Sequence, residues 1–403
     1  MNDHKWQFSP RFRRGAFGWK SQPAIDRIKQ ALSEIKQVTR KEPVLAAEGA
    51  VLFLVKLSPA LEQVDSSSGA IGAAVNRAVE LLVPIIAAAD IDEILRQKWL
   101  ERLWDAIDQD EMPYLESLGN FWGELCGTPK LASSWADRFV PLVASVWRPA
   151  ARPHGFFKGT GACMSALFAS GRHEAILSLL ATARHTYWND RRWGVKALAS
   201  MGRQEEAIEY AEASRGLSAP VSAIATACEE ILLSSGLANK AYTLYALDAN
   251  QNATNLGTFR AIVKKYQSKP AETVLRDLVA QHPGQEGKWF AAAKHAGLLE
   301  LAIELANQSP GDPRTLIRAA RDYAVEQPAF ALSTGTIALR DMACGHGYEI
   351  TGLDILDAYS AIMLAATAAG VPETEMKERI RALIAAPQVS KFVRKVLAHH
   401  LSG

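Results

Sequence analysis

The hydrophobic positions along this chain recur at helical spacing, and no stretch alternates convincingly in the manner of a β-strand. Leu95, Trp99, Leu103 and Ile107 recur every four residues and form a stripe suited to a buried helix face. Polar and glycine-containing breaks separate segments of this kind. The pattern predicts an all-α protein, with early helices at about 23–39, 43–57, 70–89, 92–108, 113–126 and 133–147.

A short phrase recurs through the second half of the chain about every thirty residues. It reads Ser-Gly-Arg-His-Glu-Ala-Ile at 170–176, and it returns at 201–208, 235–242 and 296–303. Two degenerate copies fall at 268–275 and 327–332, which gives six units between about 160 and 340. Each copy is anchored on a small residue: Ala175, Ala207, Ala241, Ala271, Ala302 and Ala329.

Each unit predicts a pair of helices joined by a tight turn. An apolar helix comes first, and the glycine follows at a C′ position, where a positive φ has no steric cost. A second helix then places its alanine and its isoleucine or leucine inward. Because one such pair cannot bury both of its faces, neighbouring pairs must stack.

These units resemble the tetratricopeptide-like class of helix-turn-helix repeats over about 160–340. The resemblance implies an α-α solenoid of antiparallel helix pairs, preceded here by an irregular helical lobe. It also implies a protein that binds a partner along the groove lined by the first helices of the pairs.

Composition shifts and turn signals predict five segments. They are a basic aromatic arm at 1–22, a helical lobe at 23–147, a linker at 148–160, the repeat array at 161–341 and capping helices at 342–403. The capping helices are expected at about 353–369, 373–386 and 388–401. The lobe at 23–147 has no measurable period, and the sequence leaves open whether it continues the array.

The net charge of +2 is unevenly placed, because residues 1–41 hold ten Lys and Arg against three Asp and Glu. The arm interleaves Trp6, Phe8, Phe12, Phe17 and Trp19 with basic residues. One interpretation is nucleic-acid binding, with Arg11, Arg13 and Arg14 on phosphates and Trp19 on a base. The other, which we favour, is an ordered strap whose aromatic side chains pack on the first lobe.

Trp188, Arg191 and Arg192 are the candidate partner-binding residues. They enter the first helix of the second repeat, and Arg and Trp are common anchors of protein interfaces. The alternative is that Trp188 and Trp193 lie in the core between repeats while the arginines solvate the helix face.

Chemistry has weaker support in the sequence. Cys344 and His346 are two soft metal ligands in one loop, but a zinc site needs about four and no second pair lies nearby. We therefore predict no catalytic residues, no metal and no cofactor. An enzyme or metal protein that uses the 344–346 loop is kept as the second alternative.

The remaining features predict a soluble cytoplasmic protein. Four cysteines are widely dispersed, and the first residues do not have the character of a signal peptide. The most hydrophobic stretch, 44–55, is interrupted by Glu48 and ends at Lys56, which is too short to span a bilayer. We expect a non-enzymatic scaffold or adaptor that binds a protein or peptide, with nucleic acid as the alternative partner and no membrane contact. The sequence does not determine its oligomeric state.

Overall fold

The structure, a computed structural model, describes residues 4–148, 156–183, 187–216, 220–386 and 389–402. Within these ranges the protein is all-α, with 73% helix and no β-strand, so the all-α part of the predicted fold class is confirmed. Consecutive helices pack against each other in pairs. The chain divides into two compact units, Met1–Ile231 and Leu232–Gly403.

The first unit begins with helices that lie close to the predicted positions. They are α1 (Ser21–Thr39), α2 (Pro43–Leu61), α3 (Ala70–Ala87), α4 (Glu93–Asp108), α5 (Trp122–Cys126) and α6 (Pro129–Trp147). Next come α7 (Thr160–Ala169), α8 (His173–Thr182), α9 (Trp188–Ser200), α10 (Gln204–Glu212) and α11 (Val221–Ser234), whose last residues belong to the second unit.

The helix predicted at 113–126 is wrong in extent, because only a 3₁₀ turn (Glu116–Phe121) and the short α5 form there. The buried carboxylate of Asp110 accepts hydrogen bonds from the hydroxyl of Ser58 and from the N–H of Leu115, at 2.7 Å. These two hydrogen bonds hold the backbone between Asp110 and Leu115 in a bend, just before the 3₁₀ turn. Gly123 then approaches α7 so closely that a Cβ would lie 2.4 Å from the carbonyl oxygen of Ser165.

The N-terminal arm is ordered and packs on α1 and α2, as the strap interpretation predicted. Its Phe8 and Phe12 rings meet Phe53 of α2 edge to face, with ring centroids 5.4 and 5.0 Å apart. The carboxylate of Glu34 on α1 accepts the backbone N–H groups of Gln7 and Phe8 at 2.7 and 3.1 Å. Four of the arm's aromatic side chains are therefore buried: Trp6, Phe8, Phe12 and Phe17.

The second unit continues the pairing of helices. It contains α12 (Ala238–Ala241), a π-helical turn (Tyr242–Ala246), α13 (Leu247–Ala249), α14 (Asn255–Lys265), α15 (Ala271–Ala280), α16 (Phe290–His295) and α17 (Leu299–Gln308). It ends with α18 (Pro313–Asp322), α19 (Pro328–Ala343), α20 (Gly352–Ala368), α21 (Glu373–Ala385) and α22 (Lys391–Leu401). The last three match the helices predicted after residue 352.

The recurring glycine forms the same turn in each of its four strong copies. Gly171, Gly202, Gly236 and Gly297 all have φ between 74° and 78°. In each copy the N–H of the residue after the glycine donates to the carbonyl five residues back, for example Arg172 N–H to Leu167 at 2.9 Å. The predicted C′ role of this glycine is confirmed.

The predicted alanine anchors are buried in three of the four strong copies, and Ala175 of the first copy is half-buried. Ala207, Ala241 and Ala302 are fully buried. Ala329 is exposed instead, so its assignment as an inward anchor is wrong. Helix α19 begins at Pro328, and its inward face starts with Phe330 and Ala331. Ala207, Ala241 and Ala302 are each the fourth residue of their helix, and the fourth residue of α19 is the buried Ala331, two residues after the predicted anchor.

In the part of the chain that the structure describes, two helices, α2 and α3, are long and apolar enough to cross a membrane by length and composition alone. The expectation that the segment from 44 is too short to span a bilayer is wrong in length, since α2 continues past Lys56 to Leu61 and has 19 residues. Of the most apolar window of α2, 61% is buried inside the protein, against 39% for α3. Helix α2 therefore has the burial of a core helix, with Phe53, Leu54 and Leu57 fully enclosed.

Replacing Gly49 tests the packing of the arm on α2. A Cβ at Gly49 would lie 2.2 Å from the Trp6 ring, so Gly49→Ala should displace the arm and lower stability by about 1–3 kcal/mol. Trypsin should then cut faster after Arg11, Arg13 and Arg14. The matched control is Gly72→Ala in α3, where a Cβ meets nothing within 4 Å, and a gain of about 0.5–1 kcal/mol is expected. Equal cleavage of the two variants would contradict this packing.

Candidate functional site

A groove of about 820 Å³ crosses the second unit and is lined by residues of α14, α16 and α18. Each of these helices is the first member of a packed pair, followed by α15, α17 and α19 respectively. We call this cavity the first-helix groove. Its volume lies in the range of ligand-binding clefts.

Four basic side chains line the groove: Arg260 of α14, Lys288 of the turn before α16, Lys294 of α16 and Arg318 of α18. Among the described residues, none of the four forms an ion pair with a carboxylate. Three of them instead donate hydrogen bonds to groups other than carboxylates: Arg260 to His295 at 3.1 Å, Lys288 to Gln285 at 2.8 Å and Arg318 to Thr315 at 3.1 Å. The Nζ of Lys294 lies 5.9 Å from the Tyr323 ring.

The carboxylates that line the described groove, Asp312 and Asp322, are both occupied elsewhere. Asp312 caps α18, because it accepts the N–H and the hydroxyl of Thr315 at 3.1 and 2.6 Å. Asp322 accepts from the guanidinium of Arg321 at 3.1 Å. The lining therefore carries four Lys and Arg charges against two carboxylates, and its potential is positive.

The sequence of α18 explains why Arg318 faces the groove without a carboxylate partner among the described residues. Its arginines fall on the face opposite the buried Leu316 and Ile317. Arg314 is bound by Asp354 through two hydrogen bonds of 2.8 and 3.0 Å, and this guanidinium holds the pKa of Asp354 far below its usual range. Arg318, one turn further along, forms no ion pair among the described residues, because Asp322 at i+4 is paired with Arg321 instead.

Lys288 is positioned by a glycine that has no room for a side chain. The N–H of Gly287 donates to the hydroxyl of Ser309 at 2.9 Å, and a Cβ at Gly287 would lie 2.1 Å from the carbonyl oxygen of Ser309. The turn Glu286–Trp289 is thereby pressed against the chain before α18. The side chain of Lys288 therefore extends from a fixed backbone position at the edge of the groove.

The sequence-predicted partner-binding residues do not lie together on a free surface. Trp188 is only 8% exposed. Arg191 joins α9 to α10, since its guanidinium donates to Ser214 and to the Tyr210 carbonyl and lies 3.9 Å from the Tyr210 ring centroid. Arg192 is half-buried. Its described hydrogen bond stays within α9, where it donates to the Asn189 carbonyl at 3.0 Å.

A small charged cluster surrounds Arg192 on α9. Arg192 and Lys196 lie 5.7 and 4.8 Å from the buried Trp193 ring, and burial lowers the pKa of both cations. Burial also raises the pKa of Asp190 to about 6, an effect that Arg192 opposes and Glu116 reinforces. Ionised Asp190 is therefore a source of instability in the folded protein.

The residues of the nucleic-acid alternative are only partly brought together. Arg14 pairs with Glu62 at 3.1 Å, and Arg13 is exposed. Arg11 donates to the Gln30 amide oxygen at 3.3 Å, and Arg27 donates to the same oxygen at 2.7 Å. Trp19 is 73% exposed. Since the other aromatic side chains of the arm are buried, Trp19 is the one left for base stacking in the described part of the arm.

Cys344 and His346 are both exposed in the loop after α19. His346 takes part in the turn through its backbone, where its N–H donates to the Asp341 carbonyl at 2.9 Å. Across the described ranges, no three His, Cys, Asp or Glu residues come close enough to hold a metal ion.

Sequence reasoning missed the four cations of the first-helix groove. They belong to three different helix pairs and form no motif. The signal available was positional, because each lies on the first helix of a unit or on the turn just before it.

The pKa of Asp190 predicts how stability depends on pH. Between the ordinary value of 3.8 and about 6, the folded state keeps a proton that the unfolded chain releases, so stability falls as pH rises. Asp190→Asn removes this penalty and should be more stable than wild type at neutral pH by about 1–3 kcal/mol, with no difference near pH 4. Melting temperatures across this range measure the effect. Asp26→Asn on the exposed face of α1 is the control, and parallel profiles for wild type and Asp190→Asn would refute the assignment.

The amino-acid sequence of the chain was also compared with known proteins. No protein-family model matches the chain, and no curated protein compared with it matches either. The function of the site therefore has to be inferred from the distances, burial and charges of its own side chains.

Proposed function

We propose that this protein is a non-enzymatic, cytoplasmic helical-repeat scaffold that binds a partner protein or peptide in the first-helix groove. The observation that carries the proposal is the set of four basic side chains without carboxylate partners, which line a groove of about 820 Å³. Side chains of this kind, beside apolar surface, are the usual anchors of protein interfaces.

Contacts between equivalent helices support a repeat array in the second unit. First helices contact first helices, as α14 does α16 and α18 does α20. Second helices contact second helices, as α17 does α19. Nearest-neighbour contacts of both kinds are typical of a solenoid, whose first helices present a continuous surface for binding.

The lining of the groove supports binding more than chemistry. His295, which lines it, is engaged by the guanidinium of Arg260 at 3.1 Å. Thr254 and Thr315 are used at the N-termini of α14 and α18, where Thr254 accepts the N–H of Gly257 at 3.0 Å. The polar groups that face the groove with spare capacity include the cationic donors of Lys288 and Arg318, which suit recognition of an anion.

A reducing compartment fits the cysteines that the structure describes. Cys126, Cys163 and Cys228 are buried, and burial raises the pKa of Cys126 and of Cys163 to about 12. Thiols of this kind are unreactive core residues. They support the cytoplasmic assignment.

Photo-crosslinking tests the use of the groove. A photoreactive p-benzoylphenylalanine in place of Ala291, which lines the groove, should give a discrete adduct with a partner in the native cell. The same residue in place of the exposed Glu304 on α17, outside the groove, is the control. When Lys288→Ala and Arg318→Ala are combined with the photoreactive residue at position 291, the yield of the adduct should fall about tenfold. Identical adducts from both positions, or one insensitive to the charge change, would count against the proposal.

Nucleic-acid association through the N-terminal basic face is the second candidate function. It is favoured by the convergence of Arg11 and Arg27 on one neutral oxygen of Gln30, which leaves two guanidinium groups side by side without an acid between them. Such a pair suits a phosphate.

Binding of a single-stranded oligonucleotide tests this candidate. Wild type should bind with an affinity that falls steeply with salt, and Arg11→Ala/Arg27→Ala should lower the slope by about 1–2. Arg77→Ala/Lys98→Ala removes the same charge from exposed positions on α3 and α4 and should change binding less. If wild type does not bind at low salt, the second candidate is rejected.

A further inference from the structure

We infer that the first-helix groove takes an acidic peptide segment that also carries an apolar side chain. This inference deepens the proposed function and depends on it, since it names the chemistry of the partner at the same groove. The described lining residues carry the charges, the donors and the apolar surface from which it follows.

The charge of the groove calls for an anion. Lys288, Lys294, Arg260 and Arg318 share one cavity, and the carboxylates there are a helix cap and a partner of Arg321. Like charges held in one cleft repel each other, and the repulsion is relieved when carboxylates enter. Complementary charge of this kind sets both the choice of partner and the rate of encounter.

The cations keep hydrogen-bond donors for a ligand. The Lys288 ammonium has three N–H donors, and the described contacts use one of them on Gln285. The Arg318 guanidinium donates to the Arg314 carbonyl and the Thr315 hydroxyl through Nε and Nη2, so its Nη1 side has no described acceptor. Both groups can therefore bind a carboxylate by charge-assisted hydrogen bonds.

Apolar side chains between the cations favour a peptide over a nucleic acid. Leu256, Ala291 and Tyr323 line the groove alongside the basic residues. The Phe290 ring is stacked on Phe330 and is only 2% exposed, so it offers no face to a base. Asp312 and Asp322 also line the groove, and a peptide can place neutral residues beside them, whereas a nucleic-acid backbone carries a phosphate at every nucleotide.

Fluorescence anisotropy with defined peptides tests the inference on the full chain. The probe is a labelled peptide of repeated Glu-Glu-Leu units, and its matched controls carry Gln in place of Glu or Ser in place of Leu. We expect the acidic, apolar probe to bind about tenfold more tightly than either control, with weaker binding as salt rises. An unlabelled single-stranded oligonucleotide should compete poorly.

Variants locate the binding. Lys288→Ala/Arg318→Ala should weaken the acidic probe about tenfold, while Lys240→Ala/Arg276→Ala removes the same charge from exposed sites of the same unit and should have little effect. Circular dichroism melts confirm that both variants stay folded. Equal binding of the Glu and Gln peptides, equal loss in the two double variants, or stronger competition by the oligonucleotide would each overturn the inference.

The two proposals fail in different ways. If a partner crosslinks from Ala291 but the peptides are bound alike, the groove is a docking site and only its acidic specificity is wrong. If neither a partner crosslinks nor the acidic probe binds, the groove is not the binding surface and both proposals fall.

Discussion

The apolar face of a helix has to be buried against another element. In this chain the next helix buries it, because a turn with a residue in the left-handed conformation brings that helix back against the first. Gly171, Gly202, Gly236 and Gly297 all hold φ near 75°, and each turn is closed by the same backbone hydrogen bond. A residue with a Cβ would be strained in this conformation. The turn therefore fixes how the second helix returns, and with it which face of the first helix stays uncovered.

The face of the first helix that no other helix covers is the surface available to bind a partner. In α18 the inward face is occupied by Leu316, Ile317 and Ala320, so the polar face has to point away from the partner helix. Arginines on such faces have two uses here. Arg191 and Arg314 join one helix to another through the Tyr210 carbonyl and Asp354. Arg318 meets no acid among the described residues, and this difference separates a structural arginine from a candidate binding residue.

The sequence predicted those features that depend on local chemistry. Helical spacing gave the fold class, and the glycine phrase gave the turns, because both act within a few residues of the chain. It failed where distant residues intervene. The bend at 113–126 depends on Ser58 and Ser165, which lie far away in sequence, and the exposure of Ala329 depends on where α19 begins.

The candidate site was harder to predict for the same reason. Trp188 and Arg191 form a conspicuous cluster in the sequence, yet one is buried and the other bridges two helices. The four cations of the groove belong to no sequence motif, and they come together only when three helix pairs pack. A residue type alone does not say whether a charge is already satisfied, since its partner can come from any element.

Net charge is a poor guide to the potential at one surface of such a chain. The first 41 residues carry the positive excess and the remainder is net acidic, yet a groove lined by cations lies in that remainder. Acids elsewhere in the second unit, such as Glu272 and Glu373, are paired with Arg276 and Lys377 along their own helices. Charges paired at short range contribute little field at a distance, so a few unpaired ones decide the local potential. For a stacked helical protein, the pairing of each charge therefore tells more about the partner than the total does.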